Sequence, residues 1–161
     1  MPANTSKAFI RQTTAQNASE IWNVLTRLES VVPAVGNIRK FQSNNTRSGR
    51  VIDWTVWLKG FELQWQEEQV MDANTRSIAF RQIAGMFAVY EGSWRVSSLP
   101  DGGKACAQIE VEVHFDSGLA HLSKYVNPVL IAAFESFFAE LLHACIQDRA
   151  AAPPSALTNM P

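Results

Sequence analysis

Along residues 7–14 polar and apolar positions alternate, which predicts a strand, and the pattern then switches to a helical period. Asn17-Ala18-Ser19 supplies capping residue types just before Ile21, Trp22, Leu25 and Leu28, which recur on one face of a short amphipathic helix. The segment Val31-Val32-Pro33-Ala34-Val35-Gly36 is apolar but broken by Pro and Gly, so it predicts a helical turn leading into a strand near 37–44. A polar turn follows from Asn44 to Gly49. From Arg50 to Phe115 the period is two, interrupted at short intervals, which amounts to six strands' worth of antiparallel meander. After Phe115 the pattern becomes helical, with Val126, Val129, Leu130, Ala133, Phe134, Phe137, Leu141 and Cys145 along one stripe. Asn127-Pro128 predicts the start of that helix, because Asn caps free N–H groups and Pro lacks the N–H that would go unpaired there. A helix from there to Arg149, about 20 residues and so about 30 Å long, spans a whole sheet.

A sheet with one apolar face and one long amphipathic helix can bury their apolar surfaces only against each other. The expected fold is therefore α+β, a seven-stranded curved antiparallel sheet around a long C-terminal helix. It forms one domain over residues 1–149, and the Pro- and Ala-rich tail, residues 150–161, is expected to be disordered. The open end of such a curl is the candidate site.

Lys59-Gly60 reads as a two-residue hairpin turn, which sets Leu58 opposite Phe61, Val56 opposite Leu63 and Trp54 opposite Trp65. Ile52, Trp54, Val56, Leu58, Phe61, Leu63 and Trp65 then share the inner face, and the same alternation carries Glu67 and Gln69 inward. Trp57 points out. In the last strand Ala107, Ile109, Val111, Val113 and Phe115 face in, so His114 faces solvent. A two-residue turn at Ala84-Gly85 groups Ala79, Arg81, Ile83, Met86, Ala88, Tyr90 and Trp94 on one face, whereas a bulge or longer turn exchanges part of that set for Ile78, Phe80, Gln82, Phe87 and Val89.

The 161 residues fit one domain, and 47% hydrophobic with 18% charged residues is ordinary for a globular protein. A net charge of −1 with interleaved signs gives no basic face for nucleic acid. The N-terminus lacks a signal-type apolar region and no run of about 18 apolar residues offers a membrane span, so the expected location is the cytoplasm. Cys106 and Cys145 lack metal-ligand spacing and read as reduced, buried thiols.

Trp65 followed by a charged strand, Ile78-Ala79-Phe80-Arg81-Gln82, and Gly92-Ser93-Trp94-Arg95 resemble the START-like (SRPBCC, Bet v 1-like) helix-grip superfamily, and within it the bacterial polyketide cyclase/aromatase branch. The resemblance runs from about Lys7 to Arg149. It implies a pocket that folds a poly-β-ketone delivered on an acyl carrier protein and promotes aldol ring closure with loss of water, without a cofactor or metal. The family's pocket arginine falls here on Gln69 and its histidine on Val113. A sister family, the coenzyme Q-binding chaperone and toxin-like proteins, shares the Gly92-Ser93-Trp94 strand, which implies instead a carrier for a quinone, lipid or other hydrophobic small molecule.

Ring closure needs a base for a carbon-bound proton and a donor for the enolate oxygen. Glu67, Arg81 and Tyr90 are the polar candidates for this chemistry, while Trp54, Trp65, Gln69, Trp94 and Phe134 are candidates to bind the ligand. Each has a plainer reading: Glu67 pairs with Arg81 or faces water, Arg81 is a solvated strand residue, and the tryptophans are core. His121 and His143 have no carboxylate at triad spacing and read as structural. Trp57 is the candidate contact for a homodimer or an acyl carrier protein.

Overall fold

Among the described residues, alternation and stripe resolve into seven strands and two helices. The computed structural model describes residues 5–100 and 106–151, with side chains to residue 147. The elements are β1 (Ser6–Thr14), α1 (Ala18–Leu25), 3-10 turns at Leu28–Ser30 and Val32–Ala34, β2 (Ile38–Asn45), β3 (Gly49–Leu58), β4 (Phe61–Asp72), β5 (Ser77–Gly85), β6 (Val89–Ser98), β7 (Ala107–Asp116) and α2 (Ser123–Ala151). The strands form a seven-stranded antiparallel sheet in the order β1-β7-β6-β5-β4-β3-β2. The chain therefore passes from one edge to the other through α1 and the 3-10 turns, then returns as a meander. α2 packs on the inner face with Leu130, Ala133, Phe134, Phe137, Phe138, Leu141, Leu142 and Cys145 buried. This is the expected helix-grip architecture.

Local chemistry explains the element ends. Asn17 Oδ1 accepts from the Glu20 N–H at 2.9 Å while Glu20 Oε1 accepts from the Asn17 N–H at 3.2 Å, a reciprocal cap that starts α1. Lys59 and Gly60 have φ of 52° and 83°, the left-handed pair that a two-residue hairpin turn requires, and the β3–β4 register is Leu58 with Phe61, Val56 with Leu63 and Trp54 with Trp65.

Several expectations are corrected. Five strands of 9–12 residues, not six, occupy Arg50 to Phe115, because the alternation in β4 runs unbroken for 12 residues. α2 begins at Ser123, a turn before Asn127-Pro128, and Asn127 is used elsewhere: its Oδ1 accepts from the Ser117 N–H at 3.2 Å, while Ser123 Oγ donates to Asp116 Oδ1 at 3.1 Å. These bonds tie the β7–α2 connection to the first helical turn. Val129 and Cys106 are exposed rather than buried. Residues 150 and 151 still belong to α2, and the rest of the expected tail lies outside the described residues. Contrary to expectation, Ser123–Gln147 is long and apolar enough to cross a membrane by composition, yet its stripe is spent on the sheet, which makes it the core helix.

The β5–β6 connection decides which residues can reach the interior. Ile78 pairs with Trp94, not with Glu91 as a two-residue turn would require, and a shift of three residues exchanges the faces. The longer connection is held by Gln82, whose Nε2 donates to Phe87 O at 2.8 Å and whose Oε1 accepts from the Phe87 N–H at 3.2 Å. Ile78 and Phe80 thus join Tyr90 and Trp94 inside, and Arg81 goes out beside Glu91. Gly92 makes room for this: a Cβ there would lie 2.7 Å from Phe80 Cζ and would overlap the Glu112 carbonyl oxygen. Gly92→Ala should therefore destabilise the protein by about 2 kcal/mol in urea unfolding, the scale of overpacking in a well-filled core.

Candidate functional site

The β3–β4 hairpin builds a compact patch on the inner wall. Arg50, Ile52 and Trp54 of β3 stand opposite Gln69, Glu67 and Trp65 of β4. All six are buried, with Arg50 at 2% exposure and Glu67 at 3%. Their polar atoms form one chain: Arg50 Nε donates to Gln69 Oε1 at 2.7 Å, Gln69 Nε2 donates to Glu67 Oε2 at 2.5 Å, and Trp65 Nε1 donates to Glu67 Oε1 at 2.8 Å. Arg50 Nη2 also donates to the Leu25 carbonyl at 2.8 Å, capping the C-terminal end of α1.

Burial dominates the electrostatics. It pushes the Glu67 carboxyl above its ordinary range, opposed by the hydrogen bonds from Trp65 and Gln69, by the nearby Trp54 indole and by the charge of Arg50. Trp54 Nε1 lies near enough to favour the carboxylate without making a hydrogen bond. Burial lowers the Arg50 pKa, against the fields of Glu29, Glu67 and Cys145, but an arginine starts so high that its guanidinium stays charged. The phenol of Tyr90 is held well above its ordinary value by burial and by Glu67, so it remains a hydrogen-bond donor at neutral pH.

Beyond the carboxyl the interior is aromatic. Trp54 and Trp65 stack with centroids 6.1 Å apart, Trp65 meets Tyr90 at 5.0 Å, and Phe87 stacks on Tyr90 at 5.2 Å. Phe134 from α2 sits among them, 5.6 Å from Tyr90 and 5.0 Å from Phe115. Rings this close are in contact, so any ligand among them would have to displace side chains. Phe87, in the β5–β6 connection, closes over Tyr90 and Trp65.

The structure thus brings Glu67, Gln69, Tyr90, Trp54, Trp65 and Phe134 together. Trp94 is buried nearby and meets Phe138 edge-on at 5.5 Å. Arg81 is a correction: its side chain is 65% exposed on the outer face and pairs with Glu68 at 3.1 Å, so it meets neither Glu67 nor the aromatic wall. It lines an open outer cleft of about 550 Å³ with Glu68, Glu91, Arg95, Glu112 and His114. His114 bonds Glu112 there at 2.6 Å. Val113 is fully buried, and Trp57 is exposed with Arg39 over its ring. Arg50 is the residue that sequence reasoning passed over, although it lies two positions before Ile52 on the same alternation and directly across from Gln69.

A family model described as polyketide cyclase/dehydrase and lipid transport matches residues 14–143. Among solved structures, the Zhui aromatase/cyclase from Streptomyces sp. R1128 is similar at 17% identity, covering 97% of this chain and 99% of that one, with a TM-score of 0.80. A protein from Thermus thermophilus is similar at 17% identity over 89% of this chain and 99% of its own, with a TM-score of 0.75. Norcoclaurine synthase from Thalictrum flavum is similar at 19% identity over 91% and 87%, with a TM-score of 0.67. No curated protein matches the sequence. Likeness at these identities establishes the fold, and the family match covers most of the chain.

Because the folded Glu67 pKa is raised, folding takes up a proton between the ordinary carboxylate range and the raised value. Stability from that proton is present at low pH and is lost as pH climbs through the raised pKa. Glu67→Gln should remove this decline, so that variant and wild-type urea midpoints diverge with rising pH, at no more than about 1.4 kcal/mol per pH unit.

Proposed function

The chain belongs to the polyketide cyclase/dehydrase and lipid transport family, and from that premise we propose that it closes rings in a carrier-bound poly-β-ketone, with Glu67 as its acid–base group. The observation that supports this reading is a buried carboxyl of raised pKa beside two stacked indoles. A base of raised pKa accepts a proton more readily, and burial among rings keeps water from competing for the carbanion.

In the proposed step ionised Glu67 removes a proton from a carbon flanked by carbonyls. The carbanion attacks a second carbonyl carbon, and the resulting alkoxide takes the proton back from Glu67 or from the Tyr90 phenol. A second carbon-bound proton and the new hydroxyl then leave as water, and enolisation of the remaining ring ketones, a proton moving from ring carbon to oxygen, gives the aromatic ring. Trp54, Trp65 and Phe134 would hold the growing plane, and Phe87 would swing aside for entry. Gln69 orients the carboxyl through its hydrogen bond. Arg81 has no part in this step because it faces outward. The exposed Trp57 is the proposed contact for an acyl carrier protein or a second copy of the chain.

A second reading, a carrier for a quinone or lipid, is favoured by the closed aromatic interior and by the buried valine at residue 113. The two separate on incubation of the purified protein with a carrier-tethered poly-β-ketone. Cyclisation predicts a new ring pattern by mass spectrometry and a fall in kcat of about 100-fold or more in Glu67→Gln, the usual contribution of a positioned acid–base group. Unchanged products from wild type, or undiminished turnover in Glu67→Gln, would overturn it.

A further inference from the structure

Among the described residues, three buried side-chain polar atoms on the inner face of β2 and β3 hydrogen-bond to no protein atom: Arg50 Nη1, Ser43 Oγ and Trp54 Nε1, the last of which acts on Glu67 only from beyond hydrogen-bond geometry. They are not scattered. Ser43 of β2 pairs with Ile52 of β3, which pairs with Glu67 of β4, so these three residues form one row across the sheet. Arg50 and Gln69 flank the row on one side, Trp54 and Trp65 on the other. Buried donors are ordinarily satisfied, and three that share one wall point to a common acceptor. The plainer role of Arg50, capping α1 through Leu25 and anchoring Gln69, uses Nη2 and Nε and leaves Nη1 unspent.

We infer that the cluster of Ser43, Arg50 and Trp54 is an oxygen-binding subsite that holds the anionic end of a planar aromatic ligand, a carboxylate, phenolate or enolate, against the Arg50 guanidinium. The carboxylates whose charges act on Arg50 are Glu29 and, after it, Glu67. Glu67 competes with the ligand only when ionised, and burial holds it toward the neutral form. Arg50 would donate from Nη1, Trp54 from Nε1 and Ser43 from its hydroxyl, while the rest of the ligand lies on Trp65, Tyr90 and Phe134. The ring system alone would bind without orientation; the three donors give it one. This inference rests on the reading that the interior encloses an aromatic ligand, and it does not require that the ligand be turned over.

Equilibrium dialysis with 2-naphthoate and the isosteric, uncharged 2-naphthamide tests it directly. Wild type should hold the carboxylate at least about tenfold more tightly, as expected for one charge-assisted hydrogen bond in a buried site. Arg50→Met should bring the two ligands within about twofold by weakening naphthoate alone, and Ser43→Ala and Trp54→Phe should each reduce the preference in part. Should Arg50→Met fail to fold by circular dichroism, Arg50→Gln carries the same test, since it removes the charge and the fork but keeps a polar group for the Leu25 carbonyl or Gln69. Equal affinity for the two ligands in wild type, including retention of neither, overturns the inference, as does a preference that survives removal of the guanidinium. A naphthoate preference without ring-closing turnover would remove the cyclase reading and leave this subsite standing, whereas turnover without the preference would do the reverse.

Discussion

Pairing of Trp54 with Trp65 across the β3–β4 hairpin is the contact on which the rest of the interior depends. The left-handed backbone at Lys59 and Gly60 sets that register, and a slip of one residue would turn Trp65, Glu67 and Gln69 of β4 to solvent while Trp54 and Arg50 of β3 stayed inside. Because the register holds, the indole of Trp65 can reach Glu67 two residues along its own strand, and Phe134 and Phe137 of α2 find flat surfaces to pack on. Helix and sheet thereby bury each other's apolar faces, and the carboxyl is enclosed as a by-product of that packing.

Enclosing a carboxyl and a guanidinium in one wall costs several kcal/mol of lost hydration unless hydrogen bonds replace water. Gln69 is the adaptor that makes the arrangement tolerable. Its amide accepts from the guanidinium with one end and donates to the carboxyl with the other, so the two ions communicate without touching. A direct Arg50–Glu67 pair would hold the carboxyl firmly ionised and tie up both groups. Relaying the contact through a neutral amide leaves burial as the dominant influence on Glu67, and with it a carboxyl able to exchange its proton.

The sequence carried the fold almost whole, because strand alternation and a helical stripe are local signals that survive without knowledge of partners. Inward placement of Glu67 and Gln69 followed from one hairpin turn with unambiguous chemistry. The outward side of Arg81 is hidden for the opposite reason: Ala84-Gly85 looks like a tight turn, but the Gln82 amide bridging Phe87 lengthens it, and a side-chain bridge of that kind leaves no periodic trace. The start of α2 is not legible in the sequence because Asn127 serves equally well as a cap or as a tie to Ser117, and only tertiary contact selects between them. Arg50 was legible in register but hidden by type, since a charged residue at the start of a strand is ordinarily solvated. Its burial comes from α1, whose last carbonyl it meets.

The β3–β4 hairpin also has a kinetic meaning. Arg50 and Gln69 are separated by only 19 positions in the chain, whereas the sheet edge formed by β1 and β7 joins residues such as Arg11 and Glu110, 99 apart. Contacts of short separation close with little loop entropy and form early, while distant ones wait. The polar wall can therefore be assembled while the long helix and the first strand are still unattached. During synthesis it emerges well before α2, as a preformed half-site onto which the helix later folds.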